Sequence, residues 1–179
     1  MKKTLLIVLF ISVGFSQRLS EAIESYDNGN VKSITYHKKT RTGIEKVKYE
    51  EYRKNGQKRL EETYKNGKQD GLWTIWYDNV RKKSEATYKD GKEDGKFISW
   101  HENGQEYAEI HYIDGKEDGL ATRWYDNGKK KSEATLKDGQ LDGLATRWYE
   151  NGQKMSEKTY KNGIWISKKL WNEDGSVRE

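Results

Sequence analysis

Residues capable of acid–base or metal chemistry are present in this chain, and their spacing limits what they can do. Glutamates stand at Glu61, Glu85, Glu109, Glu133 and Glu157, one every 24 residues. Such a row would suit paired acids or a cation site. Equivalent side chains two strands apart in a sheet lie roughly 9.5 Å apart, too far for two carboxylates to share one ion directly. Lys129 and Lys131 stand nearby in the sequence, so the row reads as cross-strand charge pairing on a solvated face. His37, His101 and His111 lack the spacing of metal ligands. No serine belongs to a nucleophile elbow, and no glycine loop is built to cradle phosphate. The absence of Cys removes disulfide and thiolate chemistry. The chain therefore reads as non-enzymatic, with no metal and no cofactor expected.

Trp76, Trp100, Trp124 and Trp148 repeat on the same 24-residue spacing. Structurally, such a row supplies the cross-strand ring packing that holds a thin sheet together. Functionally, it is a platform for a protein, glycan or lipid surface, because a single sheet cannot cover its own apolar face. These four tryptophans form the candidate binding face.

The elements that must position them follow from the same period. DGLATRWY occurs twice, 24 residues apart, in residues 118–125 and 142–149. Gly43, Gly67, Gly91, Gly115, Gly139 and Gly163 keep the spacing, as do Gly71, Gly95, Gly119 and Gly143. A further column runs Gly56, Gly104, Gly128 and Gly152, with Val80 in the place of its missing member. A fixed period of this length marks a repeat architecture. Each repeat has two runs of strand type, such as Leu144–Tyr149 and Lys154–Tyr160, joined by Asn-Gly or Asp-Gly turns, which are hairpin signals. Gly56, Gly67, Gly91, Gly104, Gly115, Gly128, Gly139, Gly152 and Gly163 are assigned as structural turns.

Loop length is chosen from the side-chain pattern. A three-residue loop Asp126-Asn127-Gly128, with Gly128 left-handed, puts Trp124, Thr122 and Leu120 on one face with Ala134 and Leu136. Lys129, Lys131 and Glu133 then lie opposite, separating apolar from charged side chains. The same treatment makes Lys137-Asp138-Gly139 a three-residue loop, with Leu144, Thr146 and Trp148 joining the apolar face. Strands of ten and eight residues result, and the mismatch calls for a bulge at Asp142-Gly143. Counting the runs gives about twelve or thirteen strands.

Composition agrees with a thin sheet. Hydrophobic residues make up 32% and charged residues 35%, yet there are twelve Tyr and seven Trp, which argues against disorder. The expected fold is all-β: an elongated single-layer antiparallel β-meander of stacked 24-residue hairpin repeats.

Residues 1–16 read as a signal peptide. Lys2 and Lys3 precede an apolar stretch over residues 5–13, and Gly14 and Ser16 are small residues before a cut ahead of Gln17. The stretch is well short of the ~20 residues that a membrane span needs. No Cys follows it, which excludes a lipoprotein anchor. The expected location is outside the cytoplasm, periplasmic or extracellular. Without the two lysines the formal charge falls from +5 to +3, weak support for nucleic acid, and none is expected as a partner. Residues 17–50 form a divergent N-terminal capping repeat with three extra residues in 30–42, residues 51–163 the regular repeats, and residues 164–179 a C-terminal cap with Trp165 and Ile166 covering the last edge.

NGKQDGLWTIWYDN (66–79) and DGKEDGLATRWYDNGKKKSEA (114–134) resemble the MORN-repeat variant family, whose pattern runs Asp/Asn-Gly-Lys, Gly-Leu-Trp, an aromatic pair, Asn-Gly-Lys and Ser-Glu. The departures are Val80, His101 in the second aromatic position and Leu136 in a Tyr column. The resemblance implies an elongated antiparallel meander. Many exported bacterial members carry the label of a YwqK-type toxin–antitoxin antitoxin. The expectation is an exported, non-enzymatic scaffold that binds a protein partner. The alternative is an envelope-surface binder of glycan or lipid head groups through the aromatic row.

Overall fold

The structure is a computed structural model that describes residues 19–178. The expected signal peptide lies outside the described residues. The described residues hold fourteen strands and no helix, in a sheet whose strand order is the chain order. This is one strand more than the upper expectation, the extra being a two-residue strand at the end.

The chain divides into two compact units. The first contains β1 (Leu19–Ser25), β2 (Val31–Lys39), β3 (Ile44–Tyr52), β4 (Lys58–Lys65) and β5 (Lys68–Trp76). The second contains β8 (Glu106–Ile113), β9 (Lys116–Trp124), β10 (Lys130–Lys137), β11 (Gln140–Trp148), β12 (Lys154–Lys161), β13 (Ile164–Trp171) and β14 (Val177–Arg178), and all of β7 (Lys92–Trp100) except Lys92. Strand β6 (Lys82–Lys89) contributes residues to both.

Two kinds of turn alternate, each dictated by its residues. At Asp126-Asn127-Gly128 the Gly128 amide donates to the Tyr125 carbonyl over 3.0 Å, and the Tyr125 amide donates to the Lys129 carbonyl over 2.9 Å. Gly128 has φ 79°, so the three-residue loop with a left-handed glycine is present as expected. The second turn differs from expectation. Lys137 pairs with Gln140, leaving only Asp138 and Gly139 in the loop, with φ 52° and 80°. Two successive left-handed residues define a type I′ turn, which Asn-Gly and Asp-Gly favour because its twist matches that of the strands. The expected three-residue loop at Lys137-Asp138-Gly139 is therefore corrected to two.

The division of faces is corrected as well. Trp124 pairs with Lys130, but Arg123 pairs with Ser132, so Lys131 is an extra residue that shifts the register. Thr122 then lies across from Glu133, Leu120 from Thr135, and Ala121 from Ala134. Paired residues share a face, so Ala134 and Leu136 lie opposite Trp124, and Glu133 joins it. The loop length was right, and a bulge just beyond it undid the inference drawn from it. Equivalent shifts fall at Glu51/Tyr52, Ser99/Trp100 and Arg147/Trp148.

The expected bulge at Asp142-Gly143 is present: between the pairs Ala134–Ala145 and Leu136–Leu141, three residues oppose Thr135 alone. Glycine is required there. Gly143 has φ 124°, and a Cβ would stand 3.2 Å from that of Thr135. At Gly71, where φ is 98°, it would stand 2.7 Å from the Thr63 hydroxyl, which itself donates to the carbonyls of Asp70 and Leu72.

At the N-terminus the three extra residues in 30–42 resolve into one more residue in β2 and a four-residue loop, Thr40–Gly43, closed by the Thr40 amide on the Gly43 carbonyl. At the other end β14 pairs only with Leu170 and Trp171. Trp165 and Ile166 are exposed rather than covering the edge. Among the described residues the buried apolar ones are Ala86, Ala108, Ile110 and Ala121, mostly small, too little for a thick core.

Candidate functional site

Each tryptophan of the candidate face ends a strand: Trp76 ends β5, Trp100 β7, Trp124 β9 and Trp148 β11. All four are half-buried. In the second unit, pairing puts Trp124, Thr122 and Leu120 of β9 on the same face as Lys130, Glu133 and Thr135 of β10, and as Trp148, Thr146 and Leu144 of β11. Thr122 and Thr146 are buried, whereas Leu120 is 54% and Leu144 51% exposed. The face is thus a mixed one, with indoles, exposed leucines and ion pairs side by side.

Lysine stems cover part of the indoles. The Lys130 ammonium lies 5.8 Å from the Trp148 ring centre and also binds Glu133. Lys154 does the same for Trp171 and Glu157, at 5.7 Å from the ring, and Lys58 for Trp76 and Glu61, at 5.8 Å. At Trp124 the equivalent of that lysine is Glu106. Cation–π contacts of this kind are worth about 0.5–1 kcal/mol at exposed sites. The glutamate row, expected to pair with lysines, does so: Lys96 also meets Glu109 at 2.8 Å and Lys48 meets Glu61 at 3.2 Å. The surprise is the face on which this happens, since the carboxylates lie among the tryptophans.

The carbonyls of Tyr52, Trp76, Trp124, Trp148 and Trp171, each the last residue of its strand, are held by the hairpin before. Tyr125 donates its hydroxyl to the Trp148 carbonyl over 2.8 Å, Tyr149 to that of Trp171 over 3.0 Å, and Tyr26 to that of Tyr52 over 2.7 Å. His101 reaches the Trp124 carbonyl at 3.1 Å through Nε2, and Arg53 reaches that of Trp76 at 2.7 Å. Three side-chain types thus make one inter-repeat latch, and His101 is a working member of the column. His111 meets the Asp118 carbonyl at 3.1 Å through Nδ1, and His37 pairs across the strands with Lys46.

In the first unit the face that bears Trp76 carries a charged cluster that sequence reasoning missed. Glu50 is 5% exposed. It accepts hydrogen bonds from the hydroxyls of Tyr36 at 3.0 Å and Tyr52 at 2.6 Å, and from Lys58 at 2.6 Å, with Lys48 at 2.9 Å. Burial would raise its pKa, but the bonds from Lys48, Lys58, Tyr52 and Tyr36 outweigh burial and hold it at about 2. The two tyrosines are pushed well up, first by burial and then by the carboxylate they bind.

The opposite face holds rings of its own. Trp73 meets Tyr88 edge-on at 6.4 Å in the first unit, and Phe97 meets Tyr112 at 6.3 Å in the second. Glu93 is raised by burial and then by the charge of Glu117, which pairs across the strands with Tyr112 on this face. The repeated Lys-Glu-Asp-Gly of 92–95 and 116–119 was the available signal for this pair. Among the described residues no group of acids and imidazoles is placed to hold a metal.

Stacked hairpins with latched turns and mixed faces define a repeat scaffold. The sequence matches the MORN repeat variant over residues 42–66, 93–114, 117–138 and 141–162, about half of its length, and the chain belongs to that family. Members of the family are non-catalytic repeat scaffolds that commonly bind proteins or membranes. The segment 67–92, which carries Val80, is outside the matched residues. No curated protein matches the chain.

Proposed function

We propose that this protein is an exported, non-enzymatic scaffold that binds a protein partner through the faces bearing Trp76 in the first unit and Trp100, Trp124 and Trp148 in the second. The observation that carries this reading is the composition of the latter face, where half-buried indoles and the exposed Leu120 and Leu144 recur beside Lys–Glu pairs. A sugar ring stacks on an open indole face, and at Trp148 an ammonium already occupies that position. A protein surface can set its own charges against the lysines and glutamates while apolar side chains meet the leucines and indole edges. The face therefore favours a protein over a glycan or lipid head group. An antitoxin-like role would be one instance of such binding. Export rests on the charged start, apolar stretch and small residues of 1–16.

Capture from envelope extract, beside glycan arrays and liposomes, tests the reading. Trp124→Ala and Trp148→Ala should each weaken capture of a protein by roughly tenfold, the order expected of an interface anchor. Arg147→Ala, on the other face, should not. Strand content must be intact by circular dichroism, because each tryptophan also packs the sheet. Binding to glycans or vesicles without any protein partner would favour the alternative. Equal losses from both faces, in folded variants, would refute this platform.

A further inference from the structure

Among the described residues the first and last long strands of the sheet have open outer edges, and the two edges differ in charge. Among the described residues β1 pairs only with β2, and β13 has β14 on its outer side at Leu170 and Trp171 alone. The outward amide and carbonyl groups of residues 164–169 are left without a strand partner. Three consecutive large apolar residues stand there, Ile164 at 70%, Trp165 at 54% and Ile166 at 59% exposure. Soluble proteins ordinarily guard such an edge, since it is a template for another strand. The register slip at Thr159/Tyr160 bends this edge, but leaves the isoleucines and the indole in solvent.

Just beyond the apolar residues stand Lys168 and Lys169, while β1 reads Leu19-Ser20-Glu21-Ala22-Ile23-Glu24-Ser25. The β1 edge thus offers Glu21 and Glu24 with Leu19, Ala22 and Ile23, seven residues against the six open ones of β13. Glu24 makes a 3.4 Å surface pair with Lys32, and both side chains are largely exposed. Lys168 and Lys169 lie over Trp165 and Trp171 at 5.8 and 5.1 Å, contacts that leave their charge in place. Opposite charges across a strand pair stabilise it, and like charges oppose it.

We infer that the open edge of β13 pairs with β1 of a second copy of this chain, joining copies tail to head by strand addition. Backbone hydrogen bonds supply the pairing, the apolar residues of both strands pack together, and Glu21 and Glu24 meet Lys168 and Lys169. Two β13 edges brought together would set lysine near lysine, so the symmetric pairing is disfavoured. A tail-to-head contact is heterologous, and assembly by it does not stop at two copies unless the ring closes.

Sedimentation velocity over a concentration series tests this, with the protein expressed from its full sequence and purified in the form that processing leaves. The parent should form species beyond the dimer as concentration rises. E21K/E24K and K168E/K169E should each sediment as monomers, their equimolar mixture should associate again, and the fourfold variant should associate by itself. Retained strand content by circular dichroism shows that the single-end variants are folded, and recovery in the fourfold variant checks the same point independently. A parent that stays monomeric throughout overturns the inference. So does an E21K/E24K chain that associates as the parent does, which would point to β13 pairing with β13, or a mixture that fails to recover.

Discussion

Val80 carries the most local test of the turn assignment. It sits at φ 62°, and its hairpin keeps the usual bonds, the Val80 amide to the Tyr77 carbonyl at 3.2 Å and the Tyr77 amide to the Arg81 carbonyl at 2.9 Å. The loop has therefore kept its geometry around a β-branched residue in a left-handed conformation, at a cost of about 1–2 kcal/mol. Val80→Gly should raise the urea midpoint, though by less than that cost, because glycine also loosens the unfolded chain. Gly128→Val should lower it. A falling midpoint for the first variant and an unchanged one for the second would show that the left-handed position is misassigned. His101 carries a related lesson. It stands in a tyrosine column and looks like a lapse in the repeat, yet its ring nitrogen meets the same carbonyl that tyrosine hydroxyls meet elsewhere.

Strands depend here on contacts that cross from one hairpin to the next. Tyr125→Phe removes the 2.8 Å bond to the Trp148 carbonyl while keeping the ring, and should cost about 1 kcal/mol in unfolding free energy. No change in the unfolding transition would mean that the latch is idle. In the first unit β2, β3 and β4 meet at Glu50, whose folded pKa of about 2 lies below its ordinary value of 4.5. A carboxylate depressed on folding lends stability that is present above its unfolded pKa and is lost as the pH falls through the folded one. Stability should thus decline between about pH 4.5 and 2, and Glu50→Gln should flatten that decline. Urea unfolding of both proteins across the window measures it, and parallel curves would deny Glu50 its part.

Over the whole molecule, stability in a repeat array is approximately a sum of nearest-neighbour terms, so ends with an open side are weakest. Amide exchange should be fastest, among the strands, in β1, in β14 and along residues 164–169 of β13, and slower in strands flanked on both sides such as β10. Uniform protection up to Trp171 in the monomer would contradict the open edge. Export has its own readout: mass spectrometry of the protein recovered from outside the cytoplasm should find Gln17 at the amino terminus, and retention of residues 1–16 would remove the export half of the proposed function.

Local chemistry made part of this molecule legible before any coordinates. Glycine, asparagine and aspartate at a 24-residue period determined the hairpins, the left-handed loop residue Gly128 and the bulge at Gly143, because those conformations depend on a few neighbouring atoms. The same period located the tryptophan row. What the sequence could not decide was which side chains share a face. That depends on the count of residues between paired backbone groups, and one extra residue, Lys131, reverses it. Apolar and charged side chains do not segregate in a single-layer sheet, where both faces meet water and lysine stems cover part of the indoles. The burial of Glu50 follows the same logic. Tyr36, Lys48, Tyr52 and Lys58 come from three strands, and only their assembly in the sheet makes a charged carboxylate stable out of water.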